Sequence, residues 1–191
     1  MNIAIISTSP RKESNSLKVA QFVQEVINKE SKEAQLISFE DIDIPMVGRE
    51  SLQADNLTAF QSQLTAIWST ADVVIFTIPE YNWITSGELI NALHQLGQEH
   101  FKHLFDNKVF AFIGVSSGRG GRRPCIEIGI ILGKLISIFN VHSVISPKIF
   151  ESQNTQNFLE TDGTSKGDKS YEKSIGNFVK YTLALANKWH K

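Results

Sequence analysis

Ile3-Ala4-Ile5-Ile6-Ser7-Thr8-Ser9-Pro10-Arg11-Lys12-Glu13-Ser14-Asn15-Ser16 is the stretch from which the fold is read. Ile3 to Ile6 is a continuous apolar run, the pattern of a short strand covered on both faces. A Ser/Thr/Pro loop follows it, and then Val19, Phe22, Val23, Val26 and Ile27 recur at helical spacing. The alternation continues. Ala34 to Phe39 reads as a second strand that runs into a loop with Pro45 and Gly48, and Leu57, Phe60, Leu64, Ile67 and Trp68 restore the helical spacing. Val73 to Ile78 is the most strand-like segment, and Pro79 ends it. Leu89 to Leu96 reads as a short helix, Val109 to Val115 as a buried strand, Ile126 to Phe139 as a largely apolar helix and Val141 to Ile145 as a fifth strand. Glu151 to Lys169 is a polar excursion, after which helical spacing resumes at Ile175, Phe178, Val179, Leu183 and Ala186. Five strands alternating with five helices predict a parallel, doubly wound α/β sheet. No internal repeat and no second domain is visible, so residues 1–191 are expected to form a single domain.

Composition narrows the function. A chain of 191 residues typically buries roughly 70% of the surface its unfolded form exposes, and so needs no disulfide or metal staple. Its one cysteine, Cys125, has no internal partner. With 19 Lys plus Arg against 20 Asp plus Glu, the net charge of -1 gives no electrostatic reason to expect a nucleic acid or an anionic membrane as partner. No basic region precedes the apolar run after Met1, as a signal peptide would require. The stretch Ile126 to Val141, interrupted by Glu127, Lys134 and Asn140, falls short of the ~20 apolar residues that span a bilayer. The expected location is the cytoplasm.

Ligands of doubly wound sheets bind beyond the carboxyl ends of the strands, where the strand order reverses. The loops after strands one, three and four therefore carry the chemistry. The first, Ser7 to Ser16, concentrates Ser and Thr hydroxyls with Asn15, Arg11 and Lys12 in front of a helix whose free N–H groups and dipole favour an anion, as a phosphate would need. A plain helix N-cap needs only one of Ser14, Asn15 or Ser16 and leaves the earlier hydroxyls unexplained. Neither the Walker pattern nor G-x-G-x-x-G is present. The second loop, Pro79-Glu80-Tyr81-Asn82-Trp83-Ile84-Thr85-Ser86-Gly87, offers two aromatics and several hydrogen-bonding groups to a flat heteroaromatic ligand. In the third, Ser116-Ser117-Gly118-Arg119-Gly120-Gly121-Arg122-Arg123-Pro124, the glycines let backbone N–H groups approach a ligand closely, and Pro124 suits the first position of the next helix. A phosphate loop, an aromatic loop and a glycine loop at one sheet edge describe a mononucleotide with a flat ring. FMN fits best.

On these residues the chain resembles the NADPH-dependent FMN reductase family: Ser9-Pro10-Arg11 with Ser14-Asn15-Ser16, Pro79-Glu80-Tyr81-Asn82, and Ser117-Gly118-Arg119-Gly120-Gly121. The resemblance implies a flavodoxin-like three-layer sandwich, with a five-stranded parallel sheet in order 2-1-3-4-5 and helices on both faces. It implies that Ser9, Arg11, Ser14, Asn15 and Ser16 surround the FMN phosphate. Pro79, Glu80, Tyr81 and Asn82 would line the ribityl chain and the ring, and Ser116, Ser117, Gly118 and Gly120 would approach its pyrimidine side. The chain departs from the family at three places: Ser86 and Ile90 stand where Pro and Lys are common, and bulky Trp83 where small residues are usual.

The activity implied is a ping-pong transfer from NADPH or NADH through FMN to small acceptors such as quinones, free flavin, azo compounds or metal oxyanions, with no side chain as strong acid or base. A homodimer or homotetramer is implied, joined through the helices after Gly87 and Pro124. Trp83 either stacks on the flavin or acceptor or meets a partner subunit. Arg119, Arg122 and Arg123 either hold the 2′-phosphate of NADPH or form a solvated helix start. Cys125, beside two arginines, reads as a small buried residue more readily than as a reactive thiol, and His100 with His103 as solvent-facing rather than metal-binding. Gly114-Val115-Ser116-Ser117-Gly118 matches the G-x-S-x-G nucleophile elbow, but the residues intervening before Pro124 argue against it. The competing class is a flavodoxin-like electron carrier, or a reductase that no longer turns over. Carriers are usually strongly acidic, so the near-neutral balance favours a reductase.

Overall fold

The computed structural model describes residues 1–30 and 32–191. The strands are β1 (Ile3–Ser7), β2 (Ala34–Ser38), β3 (Val73–Pro79), β4 (Val109–Val115) and β5 (Val144–Ser152). The helices are α1 (Asn15–Lys29), α2 (Ala59–Thr70), α3 (Gly87–Leu96), α4 (Arg122–Phe139) and α5 (Lys169–Trp189). All strand pairs are parallel and the sheet order is β2-β1-β3-β4-β5, the flavodoxin-like arrangement.

The continuous apolar runs follow from this architecture, because both sheet faces are covered. On one face Ala4, Ile6, Val74, Phe76, Phe110 and Phe112 pack with Leu64 and Trp68 of α2, Leu89 and Leu93 of α3, and Ile128 and Leu132 of α4. The alternate residues Ile3, Ile5, Val73, Ile75, Ala111 and Ile113 pack with Val19, Val23 and Ile27 of α1 and Ile175, Phe178 and Val179 of α5. Trp68 anchors the first face, meeting Phe76, Phe105 and Phe110 edge-on at 5.3, 5.5 and 6.2 Å between ring centroids.

Two expectations are corrected. The fifth strand begins at Val144, not Val141. Asn140 takes a left-handed conformation (φ 52°) at the end of α4, and the Val141 N–H donates back to the Ile136 carbonyl at 3.2 Å. Val141 is thus apolar because it completes a helix terminus. The strand then runs on to Ser152, taking in Glu151, which the polar composition assigns to the excursion. Its register against β4 shifts between Phe110 and Phe112, and Pro147 lies in that irregularity, at the sheet edge, where a missing N–H costs no ladder bond. Helix α4 likewise begins at Arg122, two residues before Pro124. Pro124 is tolerated there because the first four N–H groups of a helix have no intrahelical acceptor.

Glycines divide into two kinds. A Cβ on Gly114 would overlap the Gly121 carbonyl, so the end of β4 and the start of α4 meet backbone to backbone. On α4, a Cβ at Gly129 would stand 3.5 Å from Phe112 and one at Gly133 3.9 Å from Ile145, which are ordinary contacts. Gly114→Ala should therefore destabilise by about 1–3 kcal/mol through forced backbone displacement, whereas Gly129→Ala should be neutral or stabilise by ~0.5–1 kcal/mol through helix propensity. Urea midpoints of the two variants read this contrast.

Cys125 is fully buried on the inner face of α4, its thiol donating to the Gly121 carbonyl at 3.3 Å. Burial above all pushes the thiol pKa up to about 12, and the opposing pull of Arg122 is too small to offset it. At pH 8 the folded protein should resist iodoacetamide, with labelling appearing only as denaturant unfolds it.

Candidate functional site

The order of the sheet reverses between β1 and β3, and hydroxyls close that junction. Thr8 donates both its N–H and its hydroxyl to the Thr77 carbonyl, each at 3.1 Å. The Thr77 hydroxyl donates to the Ser16 carbonyl at 2.9 Å, and the Ser86 hydroxyl to the Thr8 carbonyl at 3.0 Å. Ser86 also caps α3 by accepting the Leu89 N–H at 3.3 Å. Serine at this position therefore ties the second loop to the first, which a proline could not do. Ser14 is the N-cap of α1, accepting the Leu17 N–H at 3.1 Å.

Between the first loop and the ends of β3 and β4 lies a cleft of about 280 Å³. Ser9, Arg11, Ser14, Asn15, Ser16, Pro79, Glu80, Tyr81 and Ser117 line it, together with Lys12, Glu13 and Val115. The hydroxyls of Ser9 and Tyr81 share a 2.7 Å hydrogen bond, and the Arg11 guanidinium lies 4.2 Å above the Tyr81 ring. The two loops thus meet over one wall of the cleft. No acidic residue stands in the first turn of α1, and its N–H groups open toward a site lined by hydroxyls, an amide and two cations, beside two carboxylates, Glu13 and Glu80, of which Glu80 accepts the Gly121 N–H. That donor set fits a phosphate.

Five of the expected site residues stand outside the cleft. Ser116 is buried and structural: its N–H donates to the Ser152 carbonyl at 2.9 Å and its Oγ accepts the Gly118 N–H at 3.1 Å. The Gly118 carbonyl in turn accepts the Asn154 N–H at 3.0 Å. Gly120 (φ 149°) packs on the Glu80 carboxylate, which leaves no room for a Cβ. Asn82 and Trp83 form the tip of a tight turn closed by reciprocal bonds between Tyr81 and Ile84 at 2.7 and 3.1 Å. Both have left-handed backbones (φ 49° and 68°), and Trp83 is 72% exposed beside the site.

Helix α4 points a second N-terminus at the same sheet edge, but its anion comes from within the chain. Glu80 accepts the Gly121 N–H at 2.6 Å. Arg122 pairs with Glu151 at 2.7 Å and Arg123 with Glu127 at 3.2 Å. These carboxylates answer the charge of an arginine-rich helix start without a bound ligand.

Sequence reasoning missed three contributors. Gln156, from the polar excursion, accepts from Asn15 Nδ2 at 3.4 Å and donates to the Ser117 carbonyl at 3.0 Å, joining the first and third loops. Asn91 and Gln95 of α3 are buried and hold the long loop after β2: Asn91 accepts the Val47 N–H at 2.8 Å, Gln95 the Leu52 N–H at 3.0 Å, and both donate to the Pro45 carbonyl. Two polar residues four apart on one stripe of α3, across the helix from Leu89 and Leu93, were the available signal.

Comparison with known proteins agrees with this geometry. Residues 1–148 match the model of the NADPH-dependent FMN reductase family. The chain is 26% identical over 152 residues to a probable NADPH:quinone oxidoreductase of Oryza sativa subsp. japonica, covering 78% of this chain and 71% of that one. It is 29% identical over 113 residues to an NAD(P)H-dependent FMN reductase of Pseudomonas aeruginosa, covering 59% and 56%. In structure it is similar to the flavoenzyme NAD(P)H:(acceptor) oxidoreductase FerB from Paracoccus denitrificans, with a TM-score of 0.66, 19% identity, and 98% and 97% of the two chains covered. The chain belongs to the NADPH-dependent FMN reductase family, and is an oxidoreductase that works with FMN and NAD(P)H.

Proposed function

We propose that residues 1–191 act as one FMN-binding domain that passes electrons from NAD(P)H to a small acceptor of the quinone, flavin, azo or metal-oxyanion class. One observation carries the assignment of parts: hydroxyls, an amide, Arg11 and Lys12 gather in the cleft at the start of α1, with no acid in the helix's first turn and with Glu80, one of the cleft's two carboxylates, engaged by the Gly121 N–H. FMN, when bound, would supply the hydride and electron transfer between NAD(P)H and the acceptor. The protein's part is to hold and orient. Asn15 and Ser16, with Arg11 and Lys12, take the phosphate. Ser9 and Tyr81, bound to each other, wall the ribityl chain. The cleft, near the lower end of the usual ligand range of ~300–1,000 Å³, would enclose that end of the cofactor and leave its ring toward the open side, within reach of NAD(P)H and acceptor. Trp83, at the tip of the second loop, is the flat surface available there. The quinone oxidoreductase name of the rice relative supports a quinone-class acceptor.

The protein as proposed is a cytoplasmic homodimer. Among the described residues no helix is long and apolar enough to cross a membrane. Between α3 and α4 lies an apolar groove of about 370 Å³ lined by Leu93, His94, Gly97, Ile130, Ile131, Lys134 and Leu135, with Ile130 68% exposed. Paired about a two-fold axis, two such faces cover each other. Ile130→Asp should shift the protein from dimer to monomer by light scattering without lowering the thermal midpoint of the subunit. A wild-type monomer at micromolar concentration overturns this assembly.

Titration with FMN should quench flavin fluorescence with saturation in the micromolar range, and anaerobic NADPH should then bleach the bound flavin rapidly. Asn15→Ala combined with Arg11→Ala should weaken FMN at least tenfold. Wild-type affinity in that variant moves the phosphate elsewhere, and binding without rapid bleaching assigns the protein to electron carriage.

A further inference from the structure

Glu80 sits where three structural demands meet. Its N–H donates to the Val115 carbonyl at 2.8 Å, continuing the β3–β4 ladder just past the end of the paired strands. Its Oε2 accepts the Gly121 N–H at 2.6 Å, while its Oε1 occupies the space that a Cβ on Gly120 would need. Gly121 is the N-cap of α4 and brings no side chain to cap it. The capping acceptor is delivered instead from another loop, 41 residues earlier in the chain. Gly120 and Gly121, with φ 149° and 104°, are held in conformations that side-chain-bearing residues rarely adopt. The glycines of the third loop thus form a socket for this carboxylate.

The same residue borders the cleft. Arg122 and Arg123 turn away to Glu151 and Glu127, so at the third loop the group that meets the Glu80 carboxylate is the α4 N-terminus itself, while Arg11 and Lys12 stand on the first-loop side of the cleft. A carboxylate held there offsets the helix dipole and withholds its positive end from any neighbouring group that gains negative charge.

We infer that Glu80 is a positioning residue: its carboxylate latches the glycine loop and, by balancing the α4 dipole, sets how strongly the site favours reduced over oxidised flavin. The second half of this inference rests on the FMN reading above; the first half does not. On reduction by NAD(P)H the flavin gains a hydride, which is two electrons and a proton, and NAD(P)⁺ leaves. The added electron density is then felt by whatever dipole or charge lies beside the ring.

Two variants separate latch from charge. Glu80→Gln keeps an oxygen acceptor for Gly121 and removes the charge; Glu80→Ala removes both. In flavin-free protein, hydrogen exchange at the Gly118 to Arg122 amides should quicken at least tenfold in Glu80→Ala and stay near wild type in Glu80→Gln. Should Glu80→Ala fail to fold, Glu80→Asp, which withdraws the carboxylate by one methylene, replaces it in the exchange measurement. In FMN-loaded protein, Glu80→Gln should favour the reduced flavin about tenfold, which for a two-electron couple is a rise of about 30 mV in midpoint potential. Unchanged exchange in Glu80→Ala overturns the latch, and an unchanged or lowered potential in Glu80→Gln overturns the electrostatic role. A wild-type protein that binds no FMN removes the reading on which the potential rests, while the exchange experiment still decides the latch.

Discussion

The hydroxyl lattice at the reversal of strand order is the constraint on which the rest of the site depends. Thr8, Thr77 and Ser86 connect β1, β3, the start of α1 and the start of α3 through the carbonyls of Thr77, Ser16 and Thr8. Each bond is of ordinary strength, net about 1 kcal/mol, but each closes a buried backbone acceptor where two elements diverge. The first two loops are thereby fixed relative to each other before any ligand arrives, and the Ser9–Tyr81 hydrogen bond extends the same linkage to the cleft wall. Glu80 performs the matching task between the second and third loops.

Much of this architecture was legible in the sequence. The buried strands read as unbroken apolar runs because both faces of the sheet are covered, and the helices on either face kept their spacing. The bounds of the fifth strand were not legible: hydrophobicity does not say whether Val141 enters a strand or packs beneath a helix end, and the strand continues through Pro147 because proline is excluded only where a ladder needs its N–H. The hydroxyl-rich first loop was read for its ligand chemistry, yet Thr8 and Ser14 are spent on the fold. Which hydroxyls remain for a ligand depends on partners brought from β3 and α1, and no local pattern encodes that. Gln156 reaches Asn15 from 141 positions away, and Glu80 spends its charge on a distant glycine.

Trp83 shows strain retained at a site. Asparagine tolerates the left-handed conformation of Asn82, but tryptophan in the next position has no such excuse, and residues of this kind cost of order 1–3 kcal/mol. The reciprocal Tyr81–Ile84 bonds enforce the turn, since paired positive φ angles match the twist of a two-residue hairpin. The outcome is a large aromatic surface held in solvent, on the loop that also supplies Tyr81 and Glu80 to the cleft.

The buried cysteine has a chemical meaning of its own. Quinones are electrophiles that arylate thiolates, and an enzyme reducing them meets a fresh electrophile at every turnover. Cys125, the chain's one sulfhydryl, is fully enclosed on the inner face of α4 and held in its protonated form far above neutral pH. Toward an acceptor of the quinone class proposed above, the fold thereby presents no thiolate to consume.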